Sequence, residues 1–498
     1  MNDRVAGAMN DRVAGAMNDR VAGAMNDRVA GAMNERIKLI LDMPLLQAGA
    51  ARVNITPSLG TRINGDFVTH YATYIHDDLY SKALVFSRGN TFVVFVVVDI
   101  CVMPKDFLDP VKAEITKITG IAASHIMISS THTHAAGSVA DVHLGSVDPA
   151  YAQKLPGLIV ESVRQAIQNL RPAQIAFGNV NAPEHLLCRR YEMNAAYTAV
   201  NPVTGHADQI KTNPFGAEEM IVKSIAPTDP DLGYLAVKGL DGSWIGLLAN
   251  YSLHYVGDWE NGTISADYFG VFAEALREKL QAGPEFVGIM SNGTSGDVNI
   301  WDFLNPERYP KMHLAKSKLI GSDLADKVFE NINALDWQTD VVLEAALEIV
   351  QVSVTKPDPQ EIEAATSIMA GAHFETIEPD EAGLRQIYAR EQILLNETPD
   401  QRDCPVQVIK IGDGMIGGLA GEFFSETGLY LKENRASTHY FTITMANGNV
   451  GYVPPAAEID KGGYETWRCR YSCLASGAEA TIRTQLLVMA EKLGKASS

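Results

Sequence analysis

Apolar positions recur along this chain with two periods, and the way the periods alternate sets the expected architecture. Ala48 to Pro57 reads as a first strand ended by proline. Ala83 to Ser87 and the valine-rich Thr91 to Asp99 form a hairpin across Arg88-Gly-Asn90. The second of these is the longest apolar run. It is too short to span a bilayer, and its β-branched residues suit a buried strand. Helical spacing follows over Pro110 to Ile118. An apolar stretch from His125 then ends in Ser129 and Ser130, and a second amphipathic helix runs over Ala152 to Leu170, closed by Arg171-Pro172. Ile175 to Val180 is a strand, and Tyr234 to Leu240 pairs with Trp244 to Tyr251 across Asp241-Gly242.

The same alternation continues to the C-terminal end. Tyr268 to Leu280 predicts a helix, Glu285 to Met290 a strand, and His313 to Leu335 a long helix. Val341 to Val354 is strand-like. Two charge-rich helices, Pro359 to Ala372 and Asp380 to Asn396, are expected to pack on one outer face. Val406 to Ile411 and Met415 to Ala420 form a third hairpin around Gly412-Asp-Gly414, His439 to Met445 is a strand, and a terminal helix follows Gly477. Residues 192 to 230 are rich in Asn, Pro, Thr and Gly and predict an irregular surface excursion. The pattern implies an α/β fold with a large mixed sheet in one domain over 46–498.

Residues 1–32 are four copies of Met-Asn-Asp-Arg-Val-Ala-Gly-Ala, and Met33 opens a diverged fifth. Each copy has too little apolar surface to bury, so 1–32 reads as a disordered repeat tail. The formal net charge of -19 argues against a nucleic-acid partner or an anionic membrane held by bulk charge. Five cysteines, an odd number without a Cys-x-x-Cys pair, argue against a disulfide scaffold. No basic region followed by an apolar leader is visible, and the expected location is cytoplasmic.

The candidate chemistry lies just past Ser130, where His132 and His134 stand two residues apart. In an extended segment both imidazoles face the same side. They could hold one divalent metal, or act as one ligand and one proton carrier. Polar groups also end other apolar strands: Asn250 to His254, Asn292 to Asp297, Gly421-Glu422, and Asn447 to Tyr452. Strand ends that share one rim are where such sites are assembled. A hydrolytic zinc site needs about four donors while leaving room for water. The loop Asn292-Gly-Thr-Ser-Gly-Asp297 lacks the Gly-Lys-Ser/Thr ending of a phosphate loop, and Ser295 is not in a Gly-x-Ser-x-Gly elbow. Asp267 reads as a helix N-cap, with orientation of a histidine as the alternative.

Together, Gly49 to Pro57, Ser130-Thr-His-Thr-His134, Asn250-Tyr-Ser-Leu-His254, Asn292 to Val298, Gly421-Glu422 and Gly451-Tyr-Val453 resemble the catalytic domain of the neutral, non-lysosomal ceramidases and their shorter bacterial relatives. The pieces come in the family's order from about residue 48 to 490. The resemblance implies a zinc amidase with a ceramide-like, small-molecule or lipid-like substrate. By position it implies His132, His254, Glu422 and Tyr452 as metal ligands and His134 as the proton-transfer group. Arg190, or Arg189 beside it, would be the arginine of the pocket, with Tyr452 also stabilising developing charge. Two departures follow. Asn299 stands where the family carries a serine, which removes a covalent serine route and leaves Asn299 as a hydrogen-bond donor. The family's C-terminal immunoglobulin-like domain has no counterpart here. Other readings are an ester, lactone or cyclic-amide hydrolase of the same fold, an amidohydrolase-type enzyme, and a non-catalytic lipid- or glycan-binding relative.

Overall fold

The computed structural model describes residues 45–374 and 377–495; the octapeptide repeats at 1–32 lie outside these. An eight-stranded sheet forms the larger layer. Its strands are β1 (Gln47–Asn54), β2 (Tyr80–Arg88), β3 (Thr91–Val98), β4 (Ile126–Ser130), β5 (Arg171–Asn181), β6 (Asp231–Gly239), β7 (Trp244–Tyr251) and β8 (Val287–Asn292). Their order across the sheet is β8-β7-β6-β5-β1-β2-β3-β4. Both edge strands, β4 and β8, run parallel to their neighbours, whereas the inner pairs are antiparallel. The two halves meet at a narrow joint, where β1 and β5 share only Gln47↔Pro172 and Ala48↔Arg171. The hairpin expected at Arg88-Gly-Asn90 is present, with Arg88 opposite Thr91.

A second, four-stranded sheet lies face to face with the first. It comprises β9 (Leu343–Ser353), β10 (Gln401–Ile411), β11 (Gly414–Leu419) and β13 (His439–Ile443), with the two-residue strand β12 (Glu422–Phe423) between the last two in sequence. One buried cluster joins the two inner faces. Phe86, Phe95, Met127, Leu235 and Ile289 of the large sheet meet Ile409, Ile416, Phe441 and Ile443 of the small one. Burial on both faces explains why β3 is apolar at nearly every position instead of alternating.

Helices cover the outer faces. Helices α1 (Lys105–Thr119) and α2 (Pro149–Gln168) pack on one half of the large sheet. Helices α3 (Asp267–Lys279) and α4 (Ala315–Asn331) cover the other half. The C-terminal helix over Ala478–Lys495 backs the small sheet. The α1 helix begins five residues before the expected Pro110. That proline is tolerated inside it because Pro110 and the carbonyl-bearing Asp106 both face solvent. The charge-rich helices become α5 (Pro359–Met369) and α6 (Glu381–Asn396), which pack on each other. However, α6 is not an outer-face helix throughout: it buries Tyr388 and Glu391, the latter gripped by both ends of the Arg470 guanidinium.

Residues 192–230 are not wholly irregular. Within and beside them, Arg190–Met193, Ile210–Thr212 and Ile221–Ser224 form a small three-stranded sheet. Its strands, three or four residues each, are too short to show a period of two in the sequence. Among the described residues, no helix is long and apolar enough to cross a membrane.

Candidate metal centre

Parallel edge strands deliver their C-terminal ends to one rim. Past β4 the chain leaves strand geometry, and His132 takes a left-handed backbone with φ 73°. The two histidines therefore do not meet through strand alternation, as the sequence suggested. They meet because this turn is held in place: His132 N donates to the Ile100 carbonyl at 3.0 Å, and Thr131 N to Val98 at 2.9 Å. A non-glycine residue in that conformation costs about 1–3 kcal/mol, which surrounding contacts must offset.

The tautomers follow from the partners. His132 Nδ1 lies 2.8 Å from the Cys101 carbonyl, and His254 Nδ1 lies 3.1 Å from the Ser295 carbonyl. A carbonyl only accepts, so in each ring Nδ1 carries the hydrogen and Nε2 presents a lone pair. Those two Nε2 atoms are 3.2 Å apart, and each is 3.5 Å from Glu422 Oε2. Glu422 Oε2 is buried and has no hydrogen-bond partner. Three acceptor atoms thus converge in a space sealed from water, an arrangement that repels itself unless a metal ion, or a proton on His132, sits among them. Two imidazoles and a carboxylate are a donor set that suits zinc, with second ring nitrogens held by backbone carbonyls as metal-ligating histidines require.

His134 lies on the other side of His132, with Nε2 to Nε2 3.2 Å. Its Nδ1 faces Gly65, whose φ is 117° and where an added Cβ would lie 2.6 Å from that nitrogen. The Tyr255 ring stacks on His134 at 3.8 Å and 16°. Burial, then the neighbouring His132 and Arg189, hold His134 well below the ordinary imidazole value; burial, His132 and Arg189 do the same for His254. For His132, burial acts downward but is outweighed by Cys101 and Glu422, which push it well up.

Tyr452 reaches the rim through β14 (Tyr452–Val453), which pairs in parallel with β12 so that Glu422 stands directly opposite Tyr452. Burial raises this phenol well above its usual value, and Arg189 opposes that rise. Arg189, not Arg190, donates to the Tyr452 hydroxyl, at 3.1 Å. Arg190, expected in the pocket, is instead fully buried between Glu458 (2.9 Å) and Glu465 (2.9 Å). Both guanidiniums reach the Glu465 carboxylate, and their other ends separate the two roles: Arg189 turns to Tyr452 and the Gly296 carbonyl, Arg190 to Glu458. Asn299 turns to its own scaffold: its amide donates to Asn213, and its Oδ1 accepts from Trp301 N at 3.1 Å.

Asp267 does not cap α3. It is the first residue of that helix, with φ 55°, and its Oδ2 accepts from Val256 N at 2.7 Å, tying down the loop just after His254. The glycine-rich loop after β8 works through its backbone: Ser295 orients His254, Gly296 N donates to Phe423 at 2.8 Å, and Arg189 Nη2 donates to the Gly296 carbonyl at 2.6 Å. Sequence reading passed over Tyr255, although it adjoins His254, and over Cys101, which follows the end of β3.

A cleft of about 380 Å³ is lined by Phe215, Trp259, Trp301 and Phe303. The Trp259 and Trp301 rings lie 6.1 and 6.4 Å from Tyr255. A larger cavity, about 810 Å³, is lined by Arg52, Lys82, Asp99 and Glu274, and none of the five rim side chains borders either space.

Residues 51–301 match the family model described as neutral/alkaline non-lysosomal ceramidase, N-terminal. Among solved structures, a neutral ceramidase from Pseudomonas aeruginosa is similar with a TM-score of 0.69 at 17% identity, over 91% of this chain and 75% of that one. A ceramidase complexed with C2 gives 0.67 at 16% identity, over 91% and 76%. At such identities the likeness is one of fold, and it bears out the large mixed-sheet α/β architecture.

Proposed function

The chain belongs to the neutral/alkaline non-lysosomal ceramidase family, hydrolases of amide bonds, and from that premise we propose that it is a zinc-dependent amidase cleaving an N-acyl, ceramide-like bond by attack of water. The observation that carries the zinc reading is the convergence of His132 Nε2, His254 Nε2 and the partnerless Glu422 Oε2 within 3.5 Å. His132, His254, Glu422 and Tyr452 would hold the ion. When bound, zinc supplies a Lewis acid for the scissile carbonyl and makes water nucleophilic near neutral pH.

The remaining chemistry belongs to side chains. His134 has Nδ1 committed at Gly65, so Nε2 is its working nitrogen. Kept neutral by burial, it can take a proton from the attacking water and return it to the leaving amine. Atoms balance without a covalent acyl intermediate: the C–N bond breaks, the water oxygen joins the acyl carbon, and its proton reaches nitrogen through His134. The guanidinium of Arg189 keeps positive charge at the Tyr452 oxygen and favours anionic character there as negative charge develops. Tyr255 covers His134 and excludes bulk water. The cleft beside Tyr255 offers aromatic walls to an apolar segment and charged groups, among them Asp258, Asp302, Lys311 and Lys316, to a polar one, which supports an amphiphilic substrate.

Metal analysis followed by turnover of a panel of N-acyl amides and esters tests this reading, with His132→Ala as the control. About one zinc per chain and cleavage of N-acyl sphingoid amides, both lost in His132→Ala, are expected. Absence of zinc, or ester cleavage with amides untouched, overturns it.

A further inference from the structure

Neither the ligand set nor the proton carrier includes Glu465, yet this carboxylate sits at the centre of a charge cluster beside the rim, bonded to both Arg189 and Arg190. It is fully buried. Its Oε1 accepts from Arg189 Nε at 2.8 Å. Its Oε2 accepts from Arg190 Nη1 at 2.9 Å and from Thr212 Oγ1 at 2.7 Å. With Nε fixed, Arg189 can only aim Nη2 one way, and that nitrogen bridges the Gly296 carbonyl and the Tyr452 hydroxyl. Arg190 is anchored at its other end by the Glu458 carboxylate and carbonyl. Two guanidiniums thus face two carboxylates, with the half-buried Lys461 ammonium on the outer oxygen of Glu458, and this pairing is the condition for keeping the buried charges out of water.

The surrounding chain is shaped to bring Glu465 in. It lies in the single turn Tyr464–Thr466, entered through Gly463 at φ 94°. A Cβ on Gly463 would come within 2.3 Å of Ile210 and 3.0 Å of both Arg190 Nη1 and Thr212 Oγ1. Tyr464 N donates to the same Thr212 hydroxyl at 3.2 Å, and Asp208 binds Gly463 N at 2.9 Å and the Trp467 indole at 2.6 Å. The small sheet of residues 190–224 is thus sewn to this turn around the carboxylate, and the Tyr464 ring stands edge-on to Tyr452 at 5.5 Å.

We propose that Glu465 is a positioning residue for the metal centre: it locks the Arg189 guanidinium so that Nη2 stays on the Tyr452 oxygen, and Tyr452 is thereby held as a ligand. This rests on the reading of Tyr452 as a zinc ligand. A purely structural ion pair would support the fold and leave metal affinity alone.

Glu465→Gln keeps the volume and removes the charge. Its zinc affinity, from chelator competition, should fall about 10–100-fold, with kcat reduced and KM little changed. In a double-mutant cycle, Glu465→Gln combined with Arg189→Gln should be no worse than Arg189→Gln alone, because Glu465 acts through Arg189. A lowered melting temperature with unchanged zinc affinity, or losses that multiply in the double variant, overturns the proposal. Should Glu465→Gln fail to fold, Thr212→Val removes one bond to the same oxygen and must show a smaller zinc-affinity loss; no loss overturns it. If the wild-type chain binds no zinc, the functional reading fails separately. The positioning claim is then decided by the crystal structure of Glu465→Gln: Arg189 leaving Tyr452 supports it, and Arg189 remaining there overturns it.

Discussion

Replacing Gly65 by alanine separates the proton carrier from the ligands. The new methyl would lie 2.6 Å from His134 Nδ1, 2.7 Å from its Cγ and 3.1 Å from Cys101 Sγ. Ordinary carbon contacts begin near 3.5 Å, so the imidazole must retreat by about 1 Å. It cannot simply slide, because Tyr255 is stacked on it at 3.8 Å. A 1 Å misplacement of a reacting group can cost about 100-fold in rate, or about 2.7 kcal/mol in the barrier. The backbone adds a stability cost of about 1–3 kcal/mol for a side chain at this positive φ. His132, His254 and Glu422 are not struck by the methyl, so zinc should stay near one per chain. The assay is kcat and KM on the best N-acyl substrate, zinc by elemental analysis on the same preparation, and a melting curve. Gly65→Ala with wild-type kcat would refute the role of His134. Loss of zinc in step with activity would instead make His134 a ligand, against the account.

Other perturbations test the scaffold. Lys82 Nζ sits 2.7 and 2.8 Å from the two oxygens of Asp99, both residues being buried. Asp99→Asn should therefore cost about 3–5 kcal/mol in urea unfolding by stranding the ammonium. Replacing both residues by apolar ones of similar size should recover most of it, and an equal loss in single and double variants would contradict the argument. His143 is buried against Phe67 and Tyr388, and burial lowers its value to about 4. The unfolded chain then binds the proton first, so stability is intact above about pH 6.5 and falls by about 3 kcal/mol as the pH drops to about 4. His143→Asn, which tolerates the φ of 50° found there, should flatten the pH dependence of unfolding across that window, and an unchanged slope would place the titration elsewhere. Arg189→Lys should lower kcat more than Arg190→Lys, because only Arg189 touches Tyr452; the reverse order in steady-state assays would restore Arg190 to the site.

The sequence exposed what burial and period write into it. Strand β3 and the three hairpins were legible because continuous valine or alternation bounded by Gly-Asn, Asp-Gly and Gly-Asp-Gly leaves few other readings. The two histidines were found for a reason that does not hold: the left-handed turn at His132, set by carbonyls 31 and more residues away, replaces strand alternation. Arg189 and Arg190 could not be told apart, since both reach Glu465 and only the distant Glu458 on one side and Tyr452 on the other separate their roles. Asp267 at a helix start looks like a cap in one dimension, and its true partner, Val256 N, comes from the loop it faces. The small sheet at 190–224 owes its form to contacts with residues 460–467, which no local pattern encodes.

An anomalous-difference map collected at the zinc edge from crystals of the chain tests whether these side chains hold a zinc ion. One peak per chain is expected, about 2.0–2.2 Å from His132 Nε2, His254 Nε2 and a Glu422 oxygen, with the Tyr452 hydroxyl completing the set. No peak there, or a peak bound elsewhere with these three donors left facing one another, would contradict it.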